Sequence, residues 1–251
     1  MIGVFDSGVG GLSVLTEVRK RLPEADLLYV ADRARAPYGI RSLAEVESIA
    51  HDVATWLIEH GAQCLVIACN TASAAALESI RAAHPAIQVV GMEPAVKPAA
   101  ATTATGKVAV YATAATFQGA LFDSVVARFA DGVEVMTRAC PEWVAMVERG
   151  VVTGPEAEQR VGSVVGEARA AGVDRIVLAC THFAFLAPII ERISRITVID
   201  PAPAVAAQVE RVAPTASGEG SVTLAASGDR EQFARVAGAL AEITSPVIPF
   251  P

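Results

Sequence analysis

One phrase occurs twice in this chain, and it restricts the fold more than any other feature. Leu65 to Arg81 reads LVIACNTASAAALESIR, and Ile176 to Arg192 reads IVLACTHFAFLAPIIER. Each starts as a β-branched apolar run, passes through Ala-Cys into small polar residues, and continues as an apolar, helix-like stretch closed by Arg. The apolar run is a buried strand, and a strand leading directly into a helix is the repeating unit of a parallel sheet. Two such units far apart in one chain predict two similar α/β lobes. Each lobe presents one thiol, Cys69 or Cys180, at the carboxyl end of a strand, which is where open parallel sheets bind ligands. Facing each other across a cleft, the two thiols become two proton-transfer groups on opposite sides of a small substrate.

The 251 residues suffice for one large domain or two small ones with proper cores. Aromatic residues make up only 5% of the chain, so the core is expected to consist of Ala, Val, Ile and Leu. A net charge of −7 does not favour nucleic-acid or anionic-membrane binding, which need a basic face, so neither is expected. The mean hydropathy is positive, +0.44, yet no apolar run is long enough to span a bilayer. The chain enters a strand-like run, IGVF, without a basic leader, so a soluble cytoplasmic protein is expected. The four cysteines, Cys64, Cys69, Cys140 and Cys180, are not expected to form disulfides in that compartment. They also lack zinc-ligand spacing, so no metal is expected. Cys64 and Cys140 read as small buried hydrophobes.

Taken in order, Ile2–Phe5 is a strand that runs through Asp6-Ser7-Gly8-Val9-Gly10-Gly11 into a helix from Leu12 to Arg21. Glycines between strand and helix allow close backbone approach, and the helix start offers free N–H groups to an anion. The pattern falls short of a dinucleotide fingerprint because Ser13 replaces the third glycine, and it lacks the lysine of a P-loop. A second strand, Leu27–Ala31, leads to Asp32 and then to a rigid Pro37-Tyr38-Gly39 turn. Asp32 stands where a ribose-binding acid would fall, which supports a nucleotide alternative. Ser42 and Glu45 form a capping box for a helix to His60. His51 and His60 read as structural or solvent-facing. After Cys69, Asn70 and Thr71 either cap the next helix or bind a carboxylate. A strand at Ile87–Gly91 precedes the crossing to the second lobe. There Lys107–Tyr111 repeats the first strand, with Thr113 and Thr116 in the place of the Asp6-Ser7-Gly8 segment. Val133–Met136 is a strand, Pro141 starts a helix that ends before Gly150, and Glu148 reads as a surface acid. Val173–Ala179 leads to Cys180-Thr181-His182. The strand at Ile196–Asp200 and the prolines 201 and 203 mark the return crossing. A strand at Val222–Ala225 and a helix at Asp229–Ile243 follow, and the tail from Ser245 is expected to be loose.

DSGVGGLSV, the D-x-x-x-x-P-Y-G run at Asp32–Gly39, ACNTAS and ACTHF together resemble the glutamate racemases of the cofactor-independent amino-acid racemase superfamily. The likeness runs from Ile2 to Asp200, and SGD near the end continues it. It implies two α/β lobes with mainly parallel sheets related by pseudo-twofold symmetry and an active site in the cleft between them. The implied boundaries are residues 1–91 plus 203–251 for the first lobe and 92–202 for the second. By the same resemblance, Cys69 and Cys180 are the catalytic thiols, the first acting on D-glutamate and the second on L-glutamate. Asp6, Glu148 and His182 assist them. Asp6, Ser7, Asp32, Pro37, Tyr38, Gly39, Asn70, Thr71, Thr113, Thr116, Thr181 and His182 match substrate-binding positions. No cofactor or metal is implied. The implied partner is glutamate, with a homodimer as the assembly and supply of D-glutamate for peptidoglycan as the role. The chain departs from the family at Gly119 and Phe122, where serine and tyrosine are frequent. Having no extension before the first strand, it is not expected to be activated by a cell-wall precursor.

Inverting a stereocentre through a carbanion requires a base on one face and an acid on the other, and two groups of like acidity suit a reaction that runs both ways. Thiols, with an ordinary pKa of about 8.5, meet that need once neighbours tune them, one starting as thiolate and the other as thiol. Three competing functions make different predictions. A racemase for aspartate or another small amino acid would show different relative rates. A nucleotide-binding redox protein would pair its thiols and respond to NAD. A two-lobed amino-acid clamp would bind without exchanging the α-hydrogen.

Overall fold

The computed structural model describes residues 1–213 and 218–251. The chain alternates short strands, most of them apolar, with helices. The first part comprises β1 (Ile2–Asp6), α1 (Leu12–Arg21), β2 (Leu27–Ala31), α2 (Leu43–Glu59), β3 (Cys64–Ile67), α3 (Asn70–Ala83) and β4 (Gln88–Gly91). The middle comprises α4 (Val96–Thr102), β5 (Lys107–Ala112), α5 (Ala114–Gln118), α6 (Ala120–Phe129), β6 (Glu134–Ala139), α7 (Pro141–Glu148), α8 (Gly154–Ala170), β7 (Arg175–Ala179), α9 (Ala187–Ser194) and β8 (Thr197–Ile199). The chain closes with α10 (Ala202–Val212), β9 (Val222–Ala226), α11 (Arg230–Ala241) and β10 (Val247–Pro249).

The strands form two sheets, ordered β10-β9-β2-β1-β3-β4 and β6-β5-β7-β8. Every pairing among the described strands is parallel. The order β6-β5-β7-β8 repeats β2-β1-β3-β4, so β3 and β7, the two strands of the duplicated phrase, hold equivalent places. The expected α/β class with two mainly parallel sheets is therefore present. β1, β2 and β3 are buried throughout, because a parallel sheet with helices on both faces leaves its central strands no solvent side. One apolar core runs continuously between the sheets, from Val4, Leu15 and Tyr29 to Tyr111, Trp143 and Ile176. Separate cores lie on the outer faces, around Phe5, Val53 and Leu65 in the first sheet and Val108, Val110 and Phe122 in the second. Cys64 belongs to the shared core and Cys69 to the outer one, as the period-two argument requires.

The expected capping box starts α2: Ser42 Oγ accepts from the Glu45 amide and Glu45 Oε2 accepts from the Ser42 amide. His51 and His60 are structural, bonded to Ser79 Oγ and the Trp56 carbonyl. Three expectations need correction. β6 runs to Ala139 rather than Met136, because its pairing with β5 continues past polar, exposed side chains at the sheet edge. The second copy of the phrase does not enter its helix directly: Thr181–Leu186 is a 3₁₀ turn, and α9 starts only at Ala187. Pro188 accounts for this, since proline is tolerated in the first turn of an α-helix but not in its interior. Finally, the tail is not loose. β10 pairs with β9, and buried Phe250 packs edge-on against Trp56 with ring centroids 5.3 Å apart.

Candidate active site in the cleft between the sheets

The carboxyl ends of both sheets converge on a cavity of about 260 Å³. Its wall takes Ser7 from the end of β1, Pro37–Ile40 from beyond β2 and Cys69–Thr71 from the end of β3. The second sheet contributes Thr113 and Ala114 after β5, Ala139 and Pro141 around the start of α7, Cys180–His182 after β7, and Val144, Ala145 and Glu148 on α7. The two thiols thus line one cavity from equivalent strand ends, and both are free.

Cys69 caps α3, and its Sγ accepts from the Ala72 amide at 3.5 Å. Burial pushes this thiol well above the ordinary range, and the Asp6 carboxylate adds to the effect; the Ala72 amide opposes it. Asp6 is fully buried behind the wall. Its Oδ1 accepts from the Gly8 amide at 2.8 Å, and its Oδ2 accepts from Thr181 Oγ1, at 2.9 Å, across the cleft. Burial raises the Asp6 carboxyl too, against the pull of His182.

The Cys180 side is built differently. Cys180 Sγ lies 3.8 Å from His182 Nδ1, and His182 Nε2 lies 2.7 Å from Glu148 Oε1. Burial alone would lower the His182 value, but Cys180 and Glu148, with Asp6 beyond them, outweigh it and hold the imidazole well above its ordinary range. Burial would raise Glu148, but its bond to His182, the Val9 amide and Arg33 outweigh that and keep it ionised. The structure therefore places a histidine–carboxylate pair beside Cys180 and a buried acid, Asp6, beside Cys69.

The glycine loop has a purpose other than the expected one. Its anion is the protein's own, because the Val9 amide donates to Glu148 Oε1 at 2.8 Å. A Cβ on Gly8 would overlap that carboxylate, and one on Gly10 would overlap His182 and lie 2.6 Å from Thr181 Oγ1. These glycines let residues of the second sheet's carboxyl end press against the first. The nucleotide alternative fails at the same place. Asp32 is fully buried, where it accepts from Tyr38 Oη at 2.5 Å, Arg35 Nε at 2.7 Å and Ser227 Oγ at 3.0 Å, and it offers no surface to a ribose.

Thr71, Thr113 and Thr116 place their hydroxyls in a triangle, with separations of 2.9 Å for Thr71–Thr113 and Thr113–Thr116 and 3.2 Å for Thr71–Thr116. Asn70 lines the cavity with both amide atoms buried and unpartnered among the described residues. A buried amide without partners normally awaits some. Of the residues expected at the site, Asp6, Asp32 and Thr116 stand one layer behind the wall, where they hold Thr181, Tyr38 and Thr113. The remainder line the cavity. Glu148 is no surface acid. Gly119 and Phe122 lie outside the wall, Gly119 against Ala74 and Phe122 against Phe117. Sequence reasoning missed the apolar side formed by Ile40, Ala139, Pro141, Val144 and Ala145, because apolar residues at a turn, a strand end and a helix face carry no chemical signal. It also missed Ser227, although SGD stood out.

The family described as Asp/Glu/Hydantoin racemase matches residues 12–209. The glutamate racemase of Roseiflexus sp. (strain RS-1) is 46% identical over 244 residues, 94% of this chain and 90% of that protein. Among solved structures, Escherichia coli glutamate racemase in complex with L-glutamate and the activator UDP-MurNAc-ala superposes with a TM-score of 0.88 at 28% identity, covering 99% of this chain and 97% of the other. Glutamate racemase from Francisella tularensis subsp. tularensis SCHU S4 in complex with D-glutamate gives 0.86 at 26% identity, covering 100% and 97%. With such matches along nearly its whole length, the chain belongs to the Asp/Glu/hydantoin racemase family, on its glutamate racemase branch.

Proposed function

We propose that this protein interconverts L- and D-glutamate without a cofactor, using Cys69 and Cys180 as the two acid–base groups. The observation that carries this reading is the presence of both thiols, from equivalent strand ends, in the wall of one small cavity. In the reaction, the thiolate on one face takes the α-proton and leaves a carbanion at the α-carbon. The thiol on the opposite face then gives its proton to that carbon, so the configuration inverts and the two sulfurs exchange protonation states. Cys180 serves as the base for L-glutamate on the family reading, and His182, with Nδ1 3.8 Å from its Sγ and Nε2 anchored by Glu148 Oε1 at 2.7 Å, is placed to take its proton. Cys69 starts as the thiol, buried beside an acid. Desolvation makes its thiolate, once formed, a stronger base than a thiolate in water, which suits a weakly acidic α-proton.

No lysine or arginine among the described residues lines the cavity, so the substrate carboxylates meet neutral donors: Asn70 and the hydroxyls of Ser7, Thr71 and Thr113, while the Thr181 hydroxyl donates to Asp6. Asp6 and Asp32 support this wall from behind, the latter by fixing Tyr38. The volume lies just under the ~300–1,000 Å³ usual for drug-sized ligands, which favours an amino acid. The memberships of the two sheets support lobes of residues 1–91 plus 203–251 and 92–202. The family reading further makes the protein a cytoplasmic homodimer that supplies D-glutamate for peptidoglycan. No described helix is long and apolar enough to cross a membrane.

The test is α-proton exchange in heavy water, followed by NMR under reducing conditions on each glutamate enantiomer. Deuterium should enter the α-position during racemisation, and both Cys69→Ser and Cys180→Ser should lose racemisation. Exchange with aspartate but not with glutamate would change the substrate and keep the mechanism. Exchange with no amino acid would reject the racemase reading in favour of an amino-acid clamp.

A further inference from the structure

We propose that Arg33 is a positioning residue for the Cys180 side of the reaction, acting through Glu148. The proposal rests on the reading of Cys180 as the base for L-glutamate. Glu148 Oε1 has two donors, His182 Nε2 and the Val9 amide, whereas Oε2 has only Arg33 Nε, at 3.3 Å. The two donors on Oε1 hold that oxygen, and Arg33 on Oε2 fixes the plane of the carboxylate about it; without Arg33 the carboxylate can pivot on Oε1 and its bond to the imidazole loses its alignment. Arg33 is itself fixed. Its Nη1 donates to the Asp229 carbonyl at 2.8 Å and its Nη2 donates to Gln232 Oε1 at 3.0 Å. Asp229 caps α11, so the planar guanidinium ties the last helix, the loop after β2 and the end of α7 into one unit around Glu148. Both side chains are largely withdrawn from solvent, Arg33 at 12% and Glu148 at 20% exposure, which limits screening of the pair. Lysine carries the charge but lacks the rigid fork, so it reproduces one of these contacts and not all three.

Enantiomers are equal in free energy, so kcat/KM must be the same in both directions, and the ratio of the two kcat values must equal the ratio of the two KM values. A variant that merely folds less well moves neither ratio. One that destabilises the enzyme form binding L-glutamate raises KM for L-glutamate relative to D-glutamate and raises kcat(L→D)/kcat(D→L) by the same factor.

Steady-state racemisation of both enantiomers by Arg33→Met and Arg33→Lys tests this, alone and in a Glu148→Gln background. Arg33→Met should move the ratio about three- to tenfold, the scale of one typical net hydrogen bond, since the contact is long at 3.3 Å. Arg33→Lys should fall between it and the wild type. In the Glu148→Gln background, adding Arg33→Met should change the ratio no further. A wild-type ratio in Arg33→Met overturns the proposal, as does an equal shift with and without Glu148. Full racemisation by Cys180→Ser would overturn the underlying reading and the Arg33 proposal with it. Loss of activity in Cys180→Ser beside an unmoved ratio in Arg33→Met rejects Arg33 alone.

Discussion

Replacing Gly10 with alanine should disable the Cys180 side without touching a cysteine, an acid or a base. The new Cβ would stand 2.7 Å from His182 Cε1 and 2.6 Å from Thr181 Oγ1, and would overlap His182 Nδ1. Non-bonded carbons rest at about 3.5–4.0 Å, so the imidazole must retreat by about 1 Å. The atom that retreats is the one facing Cys180 Sγ, already 3.8 Å away, so the contact is lost. Thr181 must move as well, and its hydroxyl bond to Asp6 ties the two sheet ends together. Overpacking of this kind costs about 1–3 kcal/mol. A misplacement of about 1 Å in a catalytic group costs about 10²-fold in rate. Circular dichroism of glutamate racemisation reads the rate, and a thermal melt reads the stability. The expected result is a folded protein whose melting temperature is a few degrees lower and whose kcat has fallen about a hundredfold. A Gly10→Ala enzyme within twofold of wild-type kcat would refute the claim that the glycine loop exists to admit His182 and Thr181.

Gly166, inside α8, has open space where a Cβ would go, so Gly166→Ala should leave activity unchanged and stabilise the protein by up to about 1 kcal/mol, measured by denaturant unfolding. The Glu148–His182 pair makes stability pH-dependent. His182, raised from 6.5, contributes fully below that value and loses its contribution as pH climbs through the raised one. Glu148, lowered from 4.5, contributes above that value and loses its contribution as pH falls through the lowered one. The melting-temperature gap between wild type and His182→Gln should therefore be full between about pH 5 and 6.5 and close towards alkaline pH; a gap that widens above neutrality contradicts the assignment. Phe250→Ala removes a buried ring from Trp56 and should cost about 3 kcal/mol, or about 6–12 °C in melting temperature by calorimetry. No change would mean that the last strand holds nothing in place.

The strands and helices were largely legible because their causes are local. The capping box of α2 involves residues three apart, and the strands up to β7, β6 apart, follow from apolar runs whose neighbours on either side are turns. The C-terminal strand was not legible, since Val247–Pro249 is only three residues long, is set among prolines that read as breaks, and is ordered by pairing with β9. The second thiol's helix was misplaced because the rule that a helix follows the cysteine gave way to Pro188. At the site, the pair of cysteines announced itself through repetition. Arg33 carried no signal and the SGD run at Ser227 named no role, since nothing within a few residues of either indicates Glu148 or Asp32 as its partner.

By itself, then, the sequence determined the alternation of strands and helices, the duplication of the βα phrase and the two thiols at equivalent strand ends, because each depends on side-chain periodicity over a few residues. Only the tertiary structure decided what surrounds those thiols. Glu148 reaches the Val9 amide from 139 residues away, and Thr181 reaches Asp6 from 175. Such contacts form because two sheets with a shared core bring their carboxyl ends together. The difference between a thiol backed by the His182–Glu148 pair and one backed by Asp6 arises from burial and charge in that assembled cleft, which no local stretch of chain contains.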